Sequence, residues 1–173
     1  MRIACLIVAG LCLTGLVIRS AYEAAKAAGR VHAGSRATFA VVCAAMVVML
    51  VSWPVMAHLD PWRVAVPAGA HVAGLAAVTA AVCLAVGGLW QLRGLEDIDH
   101  LVTTGLYARL RHPMYTGFVL WIAGWIVAQG AVVSLALAPI GIGCILSWRR
   151  REEGALQEQF GEAYRRYRLR TWL

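Results

Sequence analysis

The chain has 173 residues, of which 61% are hydrophobic and 14% are charged, and its formal net charge is +7. Soluble domains carry about 25% charged and about 45–50% apolar residues, and a chain of this length leaves too much surface exposed to hide such an apolar excess. The basic residues cluster in short gaps between apolar runs and in the tail, which argues against a nucleic-acid partner. We therefore expect an all-α polytopic integral membrane protein.

The first three apolar runs are predicted membrane spans. Ile3 to Ile18 is interpreted as a retained first span, because "VIRSAYEAAK" at its end lacks a small-x-small signal-peptide cleavage site. Residues 37–56 and 66–90 reach the roughly 20 residues that a hydrocarbon core of about 30 Å requires.

The fourth and fifth runs, residues 113–128 and 131–148, are separated only by Gln129 and Gly130. So short a connection predicts an antiparallel helical hairpin. The fourth run is short for a full span, and we expect it to begin slightly below the headgroups. About five transmembrane helices result.

After Trp148 we expect an amphipathic cytoplasmic helix. Its apolar face recurs at i, i+4, i+8 and i+11, at Leu156, Phe160, Tyr164 and Tyr167.

The basic residues predict the orientation of the chain in the membrane. One side of the membrane has only Arg2, Arg63 and the Gln129–Gly130 turn. Because basic loops stay in the cytoplasm, the amino terminus is predicted outside and the carboxyl terminus inside. We treat the chain as one membrane domain, with residues 1–100 as a three-span part and residues 101–173 as a functional core. The basic residues on the cytoplasmic side are Arg19, Lys26, Arg30, Arg36, Arg93, Arg109, Arg111 and the seven arginines that follow Trp148.

Neither the cysteines nor the acidic loop indicates a metal site. All five cysteines lie in apolar runs without a C-x-x-C pair, so we expect packing residues and not disulfides or ligands. Glu96, Asp97, Asp99 and His100 match no ligand spacing, and we interpret them as part of a solvated loop.

The chemically capable residues fall into two segments, "GLYARLRHPMYTG" at 105–117 and "REEGALQEQFGEAYRRYR" at 151–168. Since both flank one hairpin on the same side, His112 and the glutamates at 152 and 153 are expected to lie near each other. Pro113 suits a first helical turn and pushes His112 into an extended conformation. The helix start beside Arg111 would bind an anion and the glutamates a cation, which suits a zwitterion.

Each of these residues also has a structural interpretation when taken alone. The arginines are compatible with membrane anchors, the tyrosines with an interfacial belt, and the glutamates with partners on a solvated helix face. The residues for which this alternative stays open are Arg109, Arg111, Tyr107, Tyr115, Glu152 and Glu153.

The two segments together resemble the isoprenylcysteine carboxyl methyltransferase family and its phospholipid methyltransferase relatives. The family pattern is G-x-Y-x-x-x-R-H-P-x-Y-x-G, then a hairpin, then E-E-x-x-L-x-x-x-F-G-x-x-Y-x-x-Y, and the match covers about the last 75 residues. The matching positions are Gly105, Tyr107, Arg111, His112, Pro113, Tyr115 and Gly117, and then Glu152, Glu153, Leu156, Phe160, Gly161, Tyr164 and Tyr167.

The resemblance implies a membrane methyltransferase that uses S-adenosylmethionine and modifies a lipophilic or lipid acceptor. One of the two glutamates would meet the ammonium group of the cofactor, while Arg111, His112 and the helix start would meet its carboxylate. An amine or thiol acceptor would need a base, for which His112 and His100 are candidates. The implied catalytic residues are His112, Arg111 and Tyr115, and the implied cofactor-binding residues are Gly105, Tyr107, His112, Pro113, Tyr115, Glu152, Glu153 and Tyr164.

The chain departs from the family pattern at two places. Leu106 stands where many members have proline, and the chain ends in "RLRTWL" instead of a V-P-x-L-x-P segment, so the lid over the cofactor is expected to be shorter or differently made.

Two other functions remain open at this point. One is an NADPH-dependent reductase of the sterol-reductase type, and the other is a non-catalytic membrane protein on the same scaffold. The arginine-rich, lysine-poor composition favours a bacterial inner membrane.

Overall fold

The computed structural model describes residues 2–31, 36–92 and 100–172. Five long helices follow one another in these ranges, and a short 3-10 helix, Gly105–Ala108, precedes the fourth. Arg93 and the predicted acidic loop residues Glu96, Asp97 and Asp99 lie outside the described residues. The helices are α1 (Arg2–Ala27), α2 (Arg36–Leu59), α3 (Ala68–Leu92), α4 (Pro113–Gln129) and α5 (Val132–Arg170).

Four of the helices, α1, α2, α3 and α5, are long and apolar enough to cross a membrane, by length and composition. Helix α4 has 17 residues and therefore a length of about 25 Å at 1.5 Å per residue, which agrees with the expectation of a short fourth run. Across the described ranges there is no strand, and one isolated bridge joins Leu110 to Trp172. The all-α polytopic membrane architecture predicted from the sequence is confirmed.

Helix α1 continues well beyond the predicted end of the first span at Ile18. The added turns are rich in alanine, a strong helix former, and Arg19 and Glu23 form an ion pair at i and i+4. The helix therefore projects past the apolar run, and Arg19 and Lys26 belong to a helix and not to a loop.

Helix α5 also differs from a continuous amphipathic helix. Gly161 has φ 52° and ψ −121°, which breaks the helix into two segments that meet at a kink. Tyr164 and Tyr167 are buried beyond this kink. The apolar face predicted after Trp148 thus exists, but it is divided between two helical segments; residues 162–172 are called the tail below.

Helix α4 packs most extensively against α3, through small residues. A Cβ atom on Gly117 would lie 2.8 Å from the carbonyl oxygen of Ala81, and one on Gly74 would lie 2.8 Å from that of Gly124. Such close backbone approach is typical of helix pairs in membranes. The start of α4 is therefore held in place by α3 as well as by the hairpin to α5.

The predicted Gln129–Gly130 turn closes the hairpin at its other end. Gly130 has φ 60° and ψ 35°, and its carbonyl oxygen accepts a hydrogen bond of 2.9 Å from the amide of Val64. The buried carboxylate of Asp60 accepts hydrogen bonds from the amides of Trp62 and Val133. These contacts join the loop after α2 to the beginning of α5.

The core lies between α1, α2, α4 and α5 and is built around Trp53, Met56 and Trp148. All five cysteines are free; Cys5 and Cys12 are buried in this core, as expected for packing residues, whereas Cys43 and Cys144 are half-buried and Cys83 is exposed.

Candidate functional site

The segment that leads into α4 is anchored to the end of α3 by Gln91. Gly105 has φ 60°, and a Cβ atom there would lie 2.3 Å from Nε2 of Gln91, so only glycine fits. The amide of Leu106 donates a hydrogen bond of 2.9 Å to Oε1 of Gln91. Proline has no such donor. The departure from the family pattern at Leu106 is thus explained by a contact that this chain makes.

Tyr107 is buried and supports the segment from below. Its hydroxyl lies 3.5 Å from the carbonyl oxygen of Gly88, and its own carbonyl oxygen accepts a hydrogen bond of 2.7 Å from Tyr167. Burial, followed by the nearby Glu152 carboxylate, raises the pKa of Tyr107 above its ordinary value. The hydroxyl and carbonyl groups of Tyr107, one of the predicted cofactor-binding residues, therefore contact α3 and the tail.

His112 and Glu153 form the centre of the site. Nε2 of His112 lies 3.1 Å from Oε1 of Glu153, and the same oxygen lies 3.6 Å from Nε of Arg111 and 3.9 Å from Nε of Arg149. Pro113 occupies the first turn of α4, as predicted, whereas His112 has φ −130° and ψ 63°, which is not the extended conformation predicted for it. The hairpin thus brings together the histidine and glutamate that the sequence predicted to be neighbours.

The imidazole of His112 is only 4% exposed, and this burial determines its charge. Burial lowers the pKa of His112 to about 4, the Glu153 carboxylate opposes the shift, and Arg149 and Arg111 add to it. His112 is therefore neutral near pH 7 and is able to donate a hydrogen bond to Glu153 or to exchange a proton.

Glu152 faces a different set of groups from Glu153. Its carboxyl group interacts with the hydroxyl of Tyr115, and the charges of Glu23, Arg19 and Lys26 on α1 act on it. Successive helical residues differ by about 100° in direction, so the adjacent glutamates leave α5 in different directions. The site therefore has two carboxylates with distinct surroundings.

The end of α1 contributes charged groups to the surroundings of Glu152, which the sequence analysis did not predict. The guanidinium group of Arg19 lies 5.4 Å from the ring centroids of both Tyr22 and Trp148. Nε1 of Trp148 donates a hydrogen bond of 3.1 Å to Ser20. The sequence analysis assigns Arg19 to the basic residues that predict the orientation of the chain. Its i, i+4 spacing from Glu23 is the pattern that indicates a helix projecting beyond the span.

The tail covers the site and is fastened by Arg111. Nη1 of Arg111 donates hydrogen bonds to the carbonyl oxygens of Thr171, at 2.7 Å, and Arg168, at 3.0 Å. The amide of Arg111 donates to the carbonyl oxygen of Trp172 at 3.0 Å, and the amide of Trp172 donates to that of Arg109 at 2.8 Å. The altered carboxyl-terminal sequence therefore packs against the segment before α4, and Arg111 contacts both the tail and Glu153.

Several buried polar groups at the site have no hydrogen-bond partner within the part of the chain that the structure describes. They include the hydroxyl of Tyr164 and the Nε atoms of Arg111 and Arg149. Buried polar atoms are normally satisfied, so these unsatisfied atoms near a partly exposed carboxylate are candidates for contact with a polar ligand. The described residues contain no group of three or more His, Cys, Asp or Glu that would hold a metal, and His100 is exposed.

Comparison with known proteins gives two kinds of match. Residues 70–163 match the sequence profile of the phospholipid methyltransferase family. The chain is 42% identical over 75 residues to a protein-S-isoprenylcysteine O-methyltransferase of Schizosaccharomyces pombe, a match that covers 42% of this chain and 32% of that protein. It is 33% identical over 81 residues to the protein of the same name from Dictyostelium discoideum, over 43% of this chain and 32% of that protein.

The matched segment thus spans about a third of the length of these curated relatives. No solved structure matches the chain significantly.

Proposed function

This chain belongs to the phospholipid methyltransferase family, whose profile matches more than half of its residues, and we propose that it is a membrane methyltransferase that uses S-adenosylmethionine. Its acceptor is a lipophilic or membrane-associated molecule. The observation that carries this proposal is the contact of His112 with Glu153, which joins the two halves of the matched motif beneath the tail. The matched names are all methyltransferases, so the reductase alternative gains no support.

The charged groups of the site fit the methionine end of this cofactor. The three contacts of Glu153 use Oε1, and its side chain is 16% exposed, so its carboxylate has room to accept the cofactor's ammonium group. Nε of Arg149 and the hydroxyl of Tyr164 are the unsatisfied donors that would meet its carboxylate and its polar adenosine atoms. When bound, S-adenosylmethionine would supply a methyl group from its positively charged sulfur: the acceptor would bond to the methyl carbon as the carbon–sulfur bond breaks and S-adenosylhomocysteine leaves.

The remaining motif residues act by positioning. Gly105 and Pro113 fix the path of the chain, and Tyr107 holds it against α3 and the tail. Arg111 keeps the tail over Glu153. Such positioning supports a methyl transfer, in which an in-line geometry at near-contact distance is the main requirement.

We propose that the acceptor approaches from the side of α1, where Tyr115 and Glu152 lie. The ring of His112 lies 5.6 Å from that of Tyr115, and its neutral imidazole is the candidate proton acceptor for a hydroxyl, amine or thiol, whereas a carboxylate acceptor needs no base. We place His112 and Tyr115 at the reacting groups, with Arg111 positioning the tail beside them.

The proposed orientation places the amino terminus outside and the tail in the cytoplasm, in the inner membrane of a bacterium. In that orientation a polar cofactor enters from the cytoplasm and an apolar acceptor from the bilayer. Residues 101–173 then form the cofactor-binding core of a single membrane domain.

Calorimetric titration of the purified protein in detergent tests the proposal. We expect saturable binding of S-adenosylmethionine, no binding of NADPH, and loss of the first in the His112→Ala variant. Binding of NADPH alone would identify a reductase, and binding of neither ligand would support a non-catalytic membrane protein.

A further inference from the structure

An open cleft of about 700 Å³ lies at the Gly161 kink, lined by residues from both sides of the kink and by Arg111. We propose that this cleft binds the phosphate of an anionic membrane lipid and that the bound lipid holds the tail closed over the site. The effect on the cofactor rests on the proposed function, whereas the lipid site does not. We call it the arginine cleft; its lining residues are Arg111, Gln157, Arg165, Arg168 and Leu169.

The charge of the arginine cleft favours an anion. Three of its five lining residues are arginines, of which Arg111 also pairs with Glu153 at 3.6 Å, and no carboxylate is among the residues described as lining the cleft. The nearest acidic partner of Arg165 is Glu162 at 3.8 Å, and both side chains are about two-thirds exposed, so this ion pair is weak. Guanidinium groups bind phosphate in a bidentate manner, which makes a cluster of them a suitable phosphate site.

The position of the cleft favours a lipid phosphate over a soluble one. Residues 149–160 extend α5 by about 18 Å, at 1.5 Å per residue, beyond the apolar run that ends at Trp148. The kink then brings the tail back, because Trp172 pairs with Arg109 and Arg111, immediately before α4 begins at Pro113. The end of the tail therefore returns to the level at which α4 enters the bilayer.

The outer surface of the tail has the composition of a headgroup contact. Leu169 is 87% exposed and Trp172 is 77% exposed, and both lie beside exposed arginines. Tryptophan prefers the membrane interface, and arginines near the membrane are attracted to anionic lipids. A lipid with its phosphate in the arginine cleft would place apolar groups against Leu169 and Trp172.

The cleft and the lid share Arg111. This residue lines the cleft and also donates hydrogen bonds to the carbonyl oxygens of Arg168 and Thr171. A phosphate shared by Arg111, Arg165 and Arg168 would therefore strengthen the contacts that keep the tail over Glu153. Anionic lipid is then expected to slow opening of the lid and to retain the cofactor.

The test uses the full chain in vesicles of phosphatidylcholine with or without phosphatidylglycerol, one of the two lipids carrying bromine on its acyl chains. The fluorescence of Trp172 is obtained as the difference between the emission of the wild-type protein and that of its Trp172→Phe variant. We expect brominated phosphatidylglycerol to quench Trp172 several-fold more than brominated phosphatidylcholine at equal bromine content. Hydrogen exchange of the Arg111 and Trp172 amides should be several-fold slower in the anionic vesicles.

The double variant Arg165→Gln/Arg168→Gln should lose both effects. The matched control is Arg166→Gln/Arg170→Gln, which removes the same charge from exposed positions of the same helix outside the cleft and should keep most of the effect. Equal quenching by the two lipids, or an equal loss in both double variants, would overturn the lipid site. Protection of the amides by inorganic phosphate in neutral vesicles would assign the cleft to a soluble anion instead.

The affinity for S-adenosylmethionine in the two kinds of vesicle completes the test. Tighter binding in the anionic vesicles, lost in the cleft variant, is the expected result. Selective quenching without cofactor binding in either vesicle would leave the lipid site standing and refute the proposed function. Cofactor binding that weakens in the cleft variant to the same extent in both vesicles would make the cleft part of the cofactor site.

Discussion

Nε2 of His112 and Oε1 of Glu153 lie 3.1 Å apart, although 41 positions separate the two residues in the sequence. One precedes α4 and the other follows the membrane-crossing part of α5, so the hairpin is what brings them together. Arg111 and Arg149 approach the same oxygen. The Glu153 carboxylate thus connects both motif segments, so replacing this residue is the most direct test of its proposed contact with the cofactor.

Replacing Glu153 should abolish cofactor binding, whereas replacing its neighbour should not. Glu153→Ala removes the proposed acceptor of the ammonium group, and Glu153→Gln, which keeps the shape, should weaken binding by about tenfold or more, since charged hydrogen bonds contribute about 1.5–3 kcal/mol. Glu152→Gln is the matched control, because Glu152 faces Tyr115 and α1. Calorimetry measures the Kd values, and the melting temperature checks folding. Unchanged binding in the Glu153 variants would refute the ammonium assignment.

His112 should make stability depend on pH only in mildly acidic solution. Its pKa is about 4 in the folded protein, below the ordinary value of 6.5, so between these values the unfolded chain binds more protons than the folded chain. The contribution of His112 to stability is therefore complete above pH 6.5 and is lost as the pH falls toward 4.

The measurement is the melting temperature of the chain and of His112→Gln between pH 4 and pH 8. We expect the chain to lose stability more steeply than the variant below pH 6.5, and both to have flat profiles above it. A profile of the variant that parallels that of the chain would show that His112 is not the group that titrates.

The sequence was sufficient to predict the parts of the fold that depend on local pattern. The apolar runs gave the order of the helices, and the two-residue turn at Gln129 gave the hairpin, from which the approach of His112 to Glu153 followed. The path of the tail was beyond this reasoning. Its apolar residues keep a helical period across Gly161, so the periodicity predicts one helix, whereas the structure has a kink at that glycine.

The role of α1 in the site was missed for a related reason. An apolar span ends at Ile18 in the sequence, but the helix does not, because alanines and the Arg19–Glu23 pair continue it. The approach of this extension to Trp148 and Glu152 is a tertiary contact. Hydropathy identifies where a helix leaves the membrane, and it carries no information about what the helix then touches.

The packing of α4 on α3 should be sensitive to the size of Gly117. A valine there would place atoms 2.8 Å or less from the carbonyl oxygen of Ala81, and overpacking of this kind costs about 1–3 kcal/mol. Gly117→Val should therefore lower the melting temperature in detergent by several degrees. Gly143→Val is the control, since a Cβ atom at Gly143 meets nothing within 4 Å. Equal effects of the two substitutions would contradict the proposed close contact of the helices.

Labelling from each side of the membrane tests the proposed orientation. In a variant without native cysteines, Gln129→Cys should react with an impermeant thiol reagent added outside, and Arg166→Cys should react only after the membrane is opened. Gln129 is the last residue of α4, just before α5 begins, and Arg166 lies near the other end of α5. Reaction of both from the same side would mean that α5 does not cross the membrane, and it would refute the five-span orientation.

The hydroxyl of Tyr164 should matter for the ligand and not for the fold. It is buried without a hydrogen-bond partner among the described residues, so Tyr164→Phe should leave the melting temperature of the free protein unchanged or slightly higher. The same variant should weaken S-adenosylmethionine binding by about threefold to tenfold, as expected for the loss of one hydrogen bond of about 0.5–1.5 kcal/mol. Tyr167→Phe is the matched control, because its hydroxyl donates to the carbonyl oxygen of Tyr107 at 2.7 Å, and it should lower the melting temperature instead. If Tyr164→Phe lowers the melting temperature as much as Tyr167→Phe does, the hydroxyl already has a partner within the protein, and the proposed contact with the cofactor has to be abandoned.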